Sequence, residues 1–147
     1  MRALVQRVHR ASVTVNEEIT GEIATGLLVF LGVSRDDRAG DRDYLARKIL
    51  SLRIFEDKTG RMNRSVVDVA GSILLVSQFT LYGDLSRGRR PGFDRAAPPE
   101  LARALYEEME AMLHAEVPVA TGVFGAHMDV ALVNNGPATF WIDSRER

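Results

Sequence analysis

The chain contains no cysteine, which excludes disulfide staples, thiolate nucleophiles and cysteine-ligated zinc, and fits a reducing compartment. Histidine is scarce too. Only His9, His114 and His127 are present, and none stands in a Gly-x-Ser-x-Gly elbow, a His-Glu-x-x-His pair or another spacing of catalytic or metal-binding use. No phosphate-cradling glycine loop occurs. Charge of neither sign dominates: 19 Lys and Arg against 20 Asp and Glu leave a net charge of −1, so contact with a polyanion requires a local patch. No apolar run approaches the ~20 residues of a membrane span. The opening Met1-Arg2-Ala3-Leu4-Val5-Gln6-Arg7-Val8 is broken by polar residues too early for a signal-peptide core. These absences predict a cytoplasmic protein with one domain over residues 1–147, without metal or cofactor and with no membrane or DNA partner. The match of Asn63-Arg64-Ser65 to a glycosylation sequon is then accidental.

Val-rich segments at 3–9 and 12–15, and a third at 19–24 after Asn16-Glu17-Glu18, read as strands around a hairpin loop. Residues 27–33 are apolar throughout, as suits a strand covered on both faces. Asp41 is placed to cap a helix whose Leu45, Ile49 and Leu52 form a stripe, with Arg42, Arg47 and Lys48 turned outward. Residues 72–81 read as a central strand and 123–133 as a half-buried one, followed by a last strand at 139–143. Pro98-Pro99-Glu100 opens a second helix, with Leu101, Leu105, Met109 and Met112 on one stripe and Pro118 beyond its end. His114 in its last turn is read as a donor near the negative helix end, not as a catalyst. The sum is an α/β fold, a curved, barrel-like mixed sheet with two main helices that is able to close into a barrel on dimerisation.

Two polar segments follow apolar runs, where residues commonly line a site. One is Ser77-Gln78-Phe79-Thr80-Leu81-Tyr82 and the other Asn134-Asn135-Gly136-Pro137-Ala138-Thr139. On an extended strand Gln78 and Thr80 share one face, and an amide beside an Ile-Leu-Leu-Val run must find hydrogen-bond partners. Gly136-Pro137 can present carbonyls at close range; by itself the step reads as a trans turn between two strands. Residues 83–99 form a long Gly-, Pro- and Arg-rich loop. In it Arg87, Arg89, Arg90 and Arg95, offset by Asp94, make a candidate phosphate-binding patch.

The opening segment with Ala11-Ser12-Val13, the run Ser77-Gln78-Phe79-Thr80-Leu81-Tyr82-Gly83-Asp84, the loop Arg90-Pro91-Gly92-Phe93 and residues 134–139 together resemble bacterial D-aminoacyl-tRNA deacylases, in order and at family length. Ala138 departs from the family, which more often has Val there; the smaller side chain would loosen packing behind the Gly-Pro step. The resemblance implies a deacylase-like, barrel-forming fold and a homodimer. It also implies hydrolysis of the ester between a D-amino acid and the tRNA 3′ end, with glycine mischarged on alanine tRNA a further substrate. Ser77, Gln78, Phe79 and Thr80 would form the catalytic segment. A cis Gly136-Pro137 peptide from the partner subunit would reject L-amino acids, supported by Arg7, Asn134 and Thr139, and the loop arginines would hold tRNA phosphates. Arg7 would brace the Gly-Pro carbonyls with its fork of donors.

Two other readings use the same residues. A small-ester hydrolase would employ Ser77 or Thr80 activated by His127, and a non-catalytic RNA-binding module would use only the arginine loop.

Overall fold

In the computed structural model, which describes residues 1–86 and 88–146, a single strand, β1 (Arg2–Val15), takes up both of the first two Val-rich segments. Arg87, one of the four loop arginines, lies outside the described residues. β1 turns back through Asn16 and Glu17, both with positive φ of 49° and 67°, into β2 (Glu18–Ile23). Left-handed conformation at both turn positions matches the right-handed twist of a tight hairpin.

Strand β3 (Gly26–Gly32) lies antiparallel to β1, with Val5 opposite Val29, and parallel to β4 (Ser72–Ser77), with Leu31 opposite Ser77. A short strand absent from the sequence reading, β5 (Val119–Thr121), extends the sheet beyond β4. The sheet then curls until β5 faces β2. A Cβ added to Gly21 of β2 would sit 2.2 Å from the Thr121 carbonyl oxygen, so only glycine permits this closing approach. A two-stranded hairpin, Phe55–Glu56 with Met62–Arg64, stands apart.

Both faces of the central strands are covered, as their unbroken apolar sequence predicts. Leu27, Val29, Leu31, Ile73 and Leu75 pack on the helical side with Leu45 and Ile49 of α1 (Ala39–Ser51) and Leu105, Met109 and Leu113 of α2 (Pro99–His114). Leu28, Leu74 and Val76 face the barrel interior with Val8, Ala11 and Val13. β1 serves both clusters: Ala3 and Val5 point to the helices, Val8, Ala11 and Val13 inward. The alternation slips by one at Arg7 and Val8, both buried. Asp41 lies inside α1, where its carboxylate accepts the Arg38 main-chain N–H at 3.0 Å, and Arg38 is the capping position. Arg42 is not turned outward, because it spans from Asp43 to Glu108 and ties α1 to α2.

The largest difference from expectation is at the C-terminal end. Residues 122–128 are irregular, and β6 (Asp129–Asp143) is one 15-residue strand lying along the whole of β1. The two strands predicted on either side of Asn134 are one. Their interruption survives as a bulge: Gln6 pairs with Thr139 and Val8 with Asn134, so residues 135–138 all stand opposite Arg7. The other edge of β6 has no strand beside it among the described residues.

Candidate functional site

β4 stops at Ser77, and the chain then tightens into a 3₁₀ turn, Phe79–Tyr82. The predicted strand to Leu81 is therefore four residues too long. The turn wins because Leu81 N–H closes on the Gln78 carbonyl at 3.2 Å and Gly83 N–H on that of Thr80 at 2.9 Å. Gln78 and Thr80 still meet, through the turn instead of through a shared strand face: the Gln78 side-chain amide donates to the Thr80 hydroxyl. The Gln78 main-chain N–H donates to Leu31 at 2.8 Å, fixing the turn to β3.

At its start the turn leaves two donors over. The main-chain N–H groups of Phe79 and Thr80 have no acceptor among the described residues. Orphan donors of this kind at the opening of a helical turn can accept an anion or a developing oxyanion. Beside them lies a cleft of about 480 Å³, lined by Leu31, Ser77, Gln78, Phe79, Phe124 and His127 among others. Its walls are largely apolar, with polar groups concentrated at the end of β4. His127 shares this cleft with Ser77, yet no hydrogen bond joins it to Ser77 or Thr80 among the described residues. His114 is exposed at the end of α2 and does not line this cleft. No group of three or more metal-ligating side chains exists among the described residues.

Arg2 secures the turn from the other side. Its guanidinium donates to the Leu81 carbonyl and to Asp143, each at 2.9 Å, and lies 4.4 Å from the centre of the Tyr82 ring. Cation–π attraction is strongest when, as here, the cation is partly desolvated. Burial, with the nearby charges of Asp37 and Asp143, pushes the Tyr82 phenol far above its ordinary value. It stays neutral and acts as packing. Sequence reasoning missed Arg2, though an arginine at the first strand position beside a late aspartate was there to be read.

The second segment is built around Arg7. This side chain is 4% exposed. It donates through Nε to the Asn135 carbonyl at 2.8 Å and through Nη1 to the Ile54 carbonyl. It therefore holds the residue before Gly136, not the Gly-Pro carbonyls themselves. Gln6 ties the two shoulders of the bulge, reaching Thr139 at 3.2 Å and Asn134 at 3.5 Å. Gly136-Pro137 is a cis peptide, exposed at the bulge tip, while Ala138 is buried behind it. The trans turn read from local sequence alone is thus overturned. A Cβ on Gly136 would lie 2.4 Å from the Asn134 side-chain nitrogen, so any larger residue would displace Asn134 from Gln6.

The two segments do not meet within one chain. Arg7 pairs with Leu27 and Ser77 with Leu31, at opposite ends of β3. Four residues along a strand and three strand spacings across separate them by on the order of 20 Å over the sheet surface. The arginines of the long loop form a third group. That loop is pinned at both ends by pairing of Asp84 with Gly92 and of Ser34 with Ala96, leaving Arg89, Arg90 and Arg95 exposed.

The D-Tyr-tRNA(Tyr) deacylase family profile matches residues 4–143. A D-aminoacyl-tRNA deacylase of Chlorobaculum tepidum is 55% identical, over 100% of this chain and 99% of that one. One of Syntrophobacter fumaroxidans is 58% identical over 99% of each. A solved structure described as a c-Myc DNA unwinding element binding protein superposes with a TM-score of 0.92 at 41% identity, covering 97% of this chain and 98% of its own. Another, described as a probable eukaryotic D-amino acid tRNA deacylase, shares the fold with a TM-score of 0.81 at 18% identity, with the same coverage.

Arg7→Met, which keeps the apolar stem and removes both charged hydrogen bonds, is expected to lower stability by about 2–3 kcal/mol in urea unfolding. Arg7→Lys should recover less than half of that, since one ammonium cannot bridge both carbonyls with the same fork.

Proposed function

The chain belongs to the D-Tyr-tRNA(Tyr) deacylase family, and from that premise we propose that it hydrolyses the ester joining a D-amino acid to the 3′-terminal ribose of tRNA. The products are free D-amino acid and tRNA. The observation that carries the mechanism is the pair of unpaired N–H groups at Phe79 and Thr80, beside a cleft that contains no hydrogen-bonded nucleophile and base. In this reading the ester carbonyl lies against those two amides. Water adds to the carbonyl carbon, the amides take up the charge that develops on oxygen, and the ribose oxygen leaves with a proton. Donors aimed at developing charge are commonly worth 10²- to 10³-fold in rate each. The tRNA 2′-hydroxyl assists the attack, a task for which the cleft offers no bonded side-chain base among the described residues.

Selection of the D-isomer is assigned to Gly136-Pro137. Mirror-image amino acids contain the same bonds, so they are told apart only by the direction of the side chain, and a fixed main-chain wall excludes one direction sterically. Because this tip is remote from Gln78 in its own chain, the wall comes from a second copy, and the active form is a homodimer. Arg7, Asn134 and Thr139 hold the wall in position. Such a wall leaves the admitted side chain uninspected, so many D-amino acids are accepted, and glycine, including glycine on alanine tRNA, passes with them. The loop arginines bind tRNA phosphates, and the reaction takes place in the cytoplasm.

One observation favours a second reading: His127 lines the same cleft as Ser77. A small-ester hydrolase built on that pair would turn over aryl esters and lose this activity in His127→Ala.

Deacylation assays with several D-aminoacyl-tRNAs, their L counterparts and glycyl-tRNA should show cleavage of the D and glycyl esters only; efficient L-ester cleavage, or equal selectivity from a sedimenting monomer, rejects the wall. Thr80→Ala keeps the main-chain amide and should retain activity within about tenfold, whereas a Thr80 nucleophile demands a loss of about 10⁴-fold or more. Raising salt from about 50 to 200 mM should weaken KM for aminoacyl-tRNA by at least tenfold if the loop arginines meet phosphates; a flat response removes them from the interface.

A further inference from the structure

Two large aromatic side chains stand in solvent beside the cleft. Phe79 is 55% exposed and Phe93 36% exposed, and their rings pack edge to face with centroids 5.0 Å apart. Phe79 forms part of the cleft wall, and Phe93 lies outside the lining. The pair therefore continues the cleft outward, past its rim.

Phe93 is held there by main chain on both sides. Asp84 and Gly92 exchange hydrogen bonds at 2.8 and 3.0 Å, Arg35 N–H donates to Arg95 at 3.2 Å, and Ala97 N–H to Val33 at 2.9 Å. Gly83 lies under the ring, where an added Cβ would come 3.3 Å from Phe93. A loop fixed at these points that still leaves an aromatic ring in water is unlike a chance surface phenylalanine, and exposed apolar patches of this kind usually mark a contact surface. The same loop carries the exposed Arg89, Arg90 and Arg95, against Asp84 and Asp94; Asp84 accepts the Ser86 N–H at 2.9 Å. Aromatic faces interleaved with arginines match an unpaired nucleobase and its flanking phosphates, the usual chemistry of single-stranded RNA contacts.

Resting on the function proposed above, we propose that Phe79 and Phe93 form a stacking platform for the base of the nucleotide that precedes the terminal adenosine, while the loop arginines neutralise the phosphates beside it. The terminal adenosine, carrying the ester, enters the cleft; the chain then leaves it over the phenylalanine pair. The enzyme thereby measures two nucleotides, not one, and favours an intact single-stranded 3′ end over a free aminoacyl-nucleoside.

The test is the ratio of kcat/KM for D-tyrosyl-tRNA to that for D-tyrosyl-adenosine. In Phe93→Ala the ratio should fall about tenfold, the order expected for one lost base–aromatic stack, and Phe93→Trp should restore it to within about threefold. An unchanged ratio, including an equal loss on both substrates, overturns the platform and leaves Phe93 as a support for Phe79. A binding measurement separates this from the catalytic reading. Fluorescence of the introduced indole in Phe93→Trp should be quenched by a CCA trinucleotide and not by adenosine, with Trp141 of the parent as background; no quenching sinks the platform. If the wild type hydrolyses neither ester, the deacylase reading fails, and the quenching result still decides the platform.

Discussion

The buried guanidinium of Arg7 is the interaction on which the arrangement of this protein turns. It has no carboxylate partner among the described residues, only the carbonyls of Asn135 and Ile54. A permanently charged group in such a place is tolerated because its planar fork spends its donors on strongly dipolar acceptors. An uncompensated one would cost several kcal/mol. The position is available because β1 changes faces at this residue. Up to Val5 its inward side chains feed the helical core, from Val8 onward the barrel interior, and at the changeover a long polar side chain reaches across to the neighbouring strand. The same slip of register creates the four-residue bulge of β6, so bend, cation and bulge are one structural event.

In the proposed mechanism, the chemistry of the candidate site is carried mostly by main chain. Side chains provide the scaffolding: Gln78 on Thr80, Arg2 on Leu81, Gln6 on Asn134 and Thr139. What they hold in place are amides and carbonyls, whose positions depend on fold more than on residue identity. This explains why a chain with three histidines and no cysteine can belong to a hydrolase family without any conventional nucleophile–base pair in its cleft.

The same division explains what could be read before the structure. Periodicity found both helices, the two-sided central strands and the Asn16-Glu17 hairpin, since burial of apolar side chains dominates there. It failed at Ser77, where main-chain hydrogen bonds from Leu81 to Gln78 and from Gly83 to Thr80 close a 3₁₀ turn in a stretch that looks strand-like by composition. It failed again over residues 123–128: the alternation around Phe124 and Met128 was real, but Gly125 at φ 77° breaks the extended backbone, and strand begins only at Asp129. β5 was too short to show a period. The two polar segments were legible as motifs, and their resemblance to a family supplied the cis peptide that local sequence argued against. That they lie far apart in one chain, and that Arg7 grips Asn135 instead of the Gly-Pro carbonyls, depends on strand register, which no local pattern encodes.

The open edge of β6 has a consequence for how this protein behaves in a crowded cell. A fifteen-residue strand whose second edge has no neighbour among the described residues would ordinarily act as a template for promiscuous fibril growth. Here the outward hump at residues 135–138 divides that edge into two short stretches, so a straight, foreign strand can zip onto no more than one of them. A feature braced from within by a buried cation thus doubles as a guard against amyloid-like stacking, and favours company whose contour bends to match.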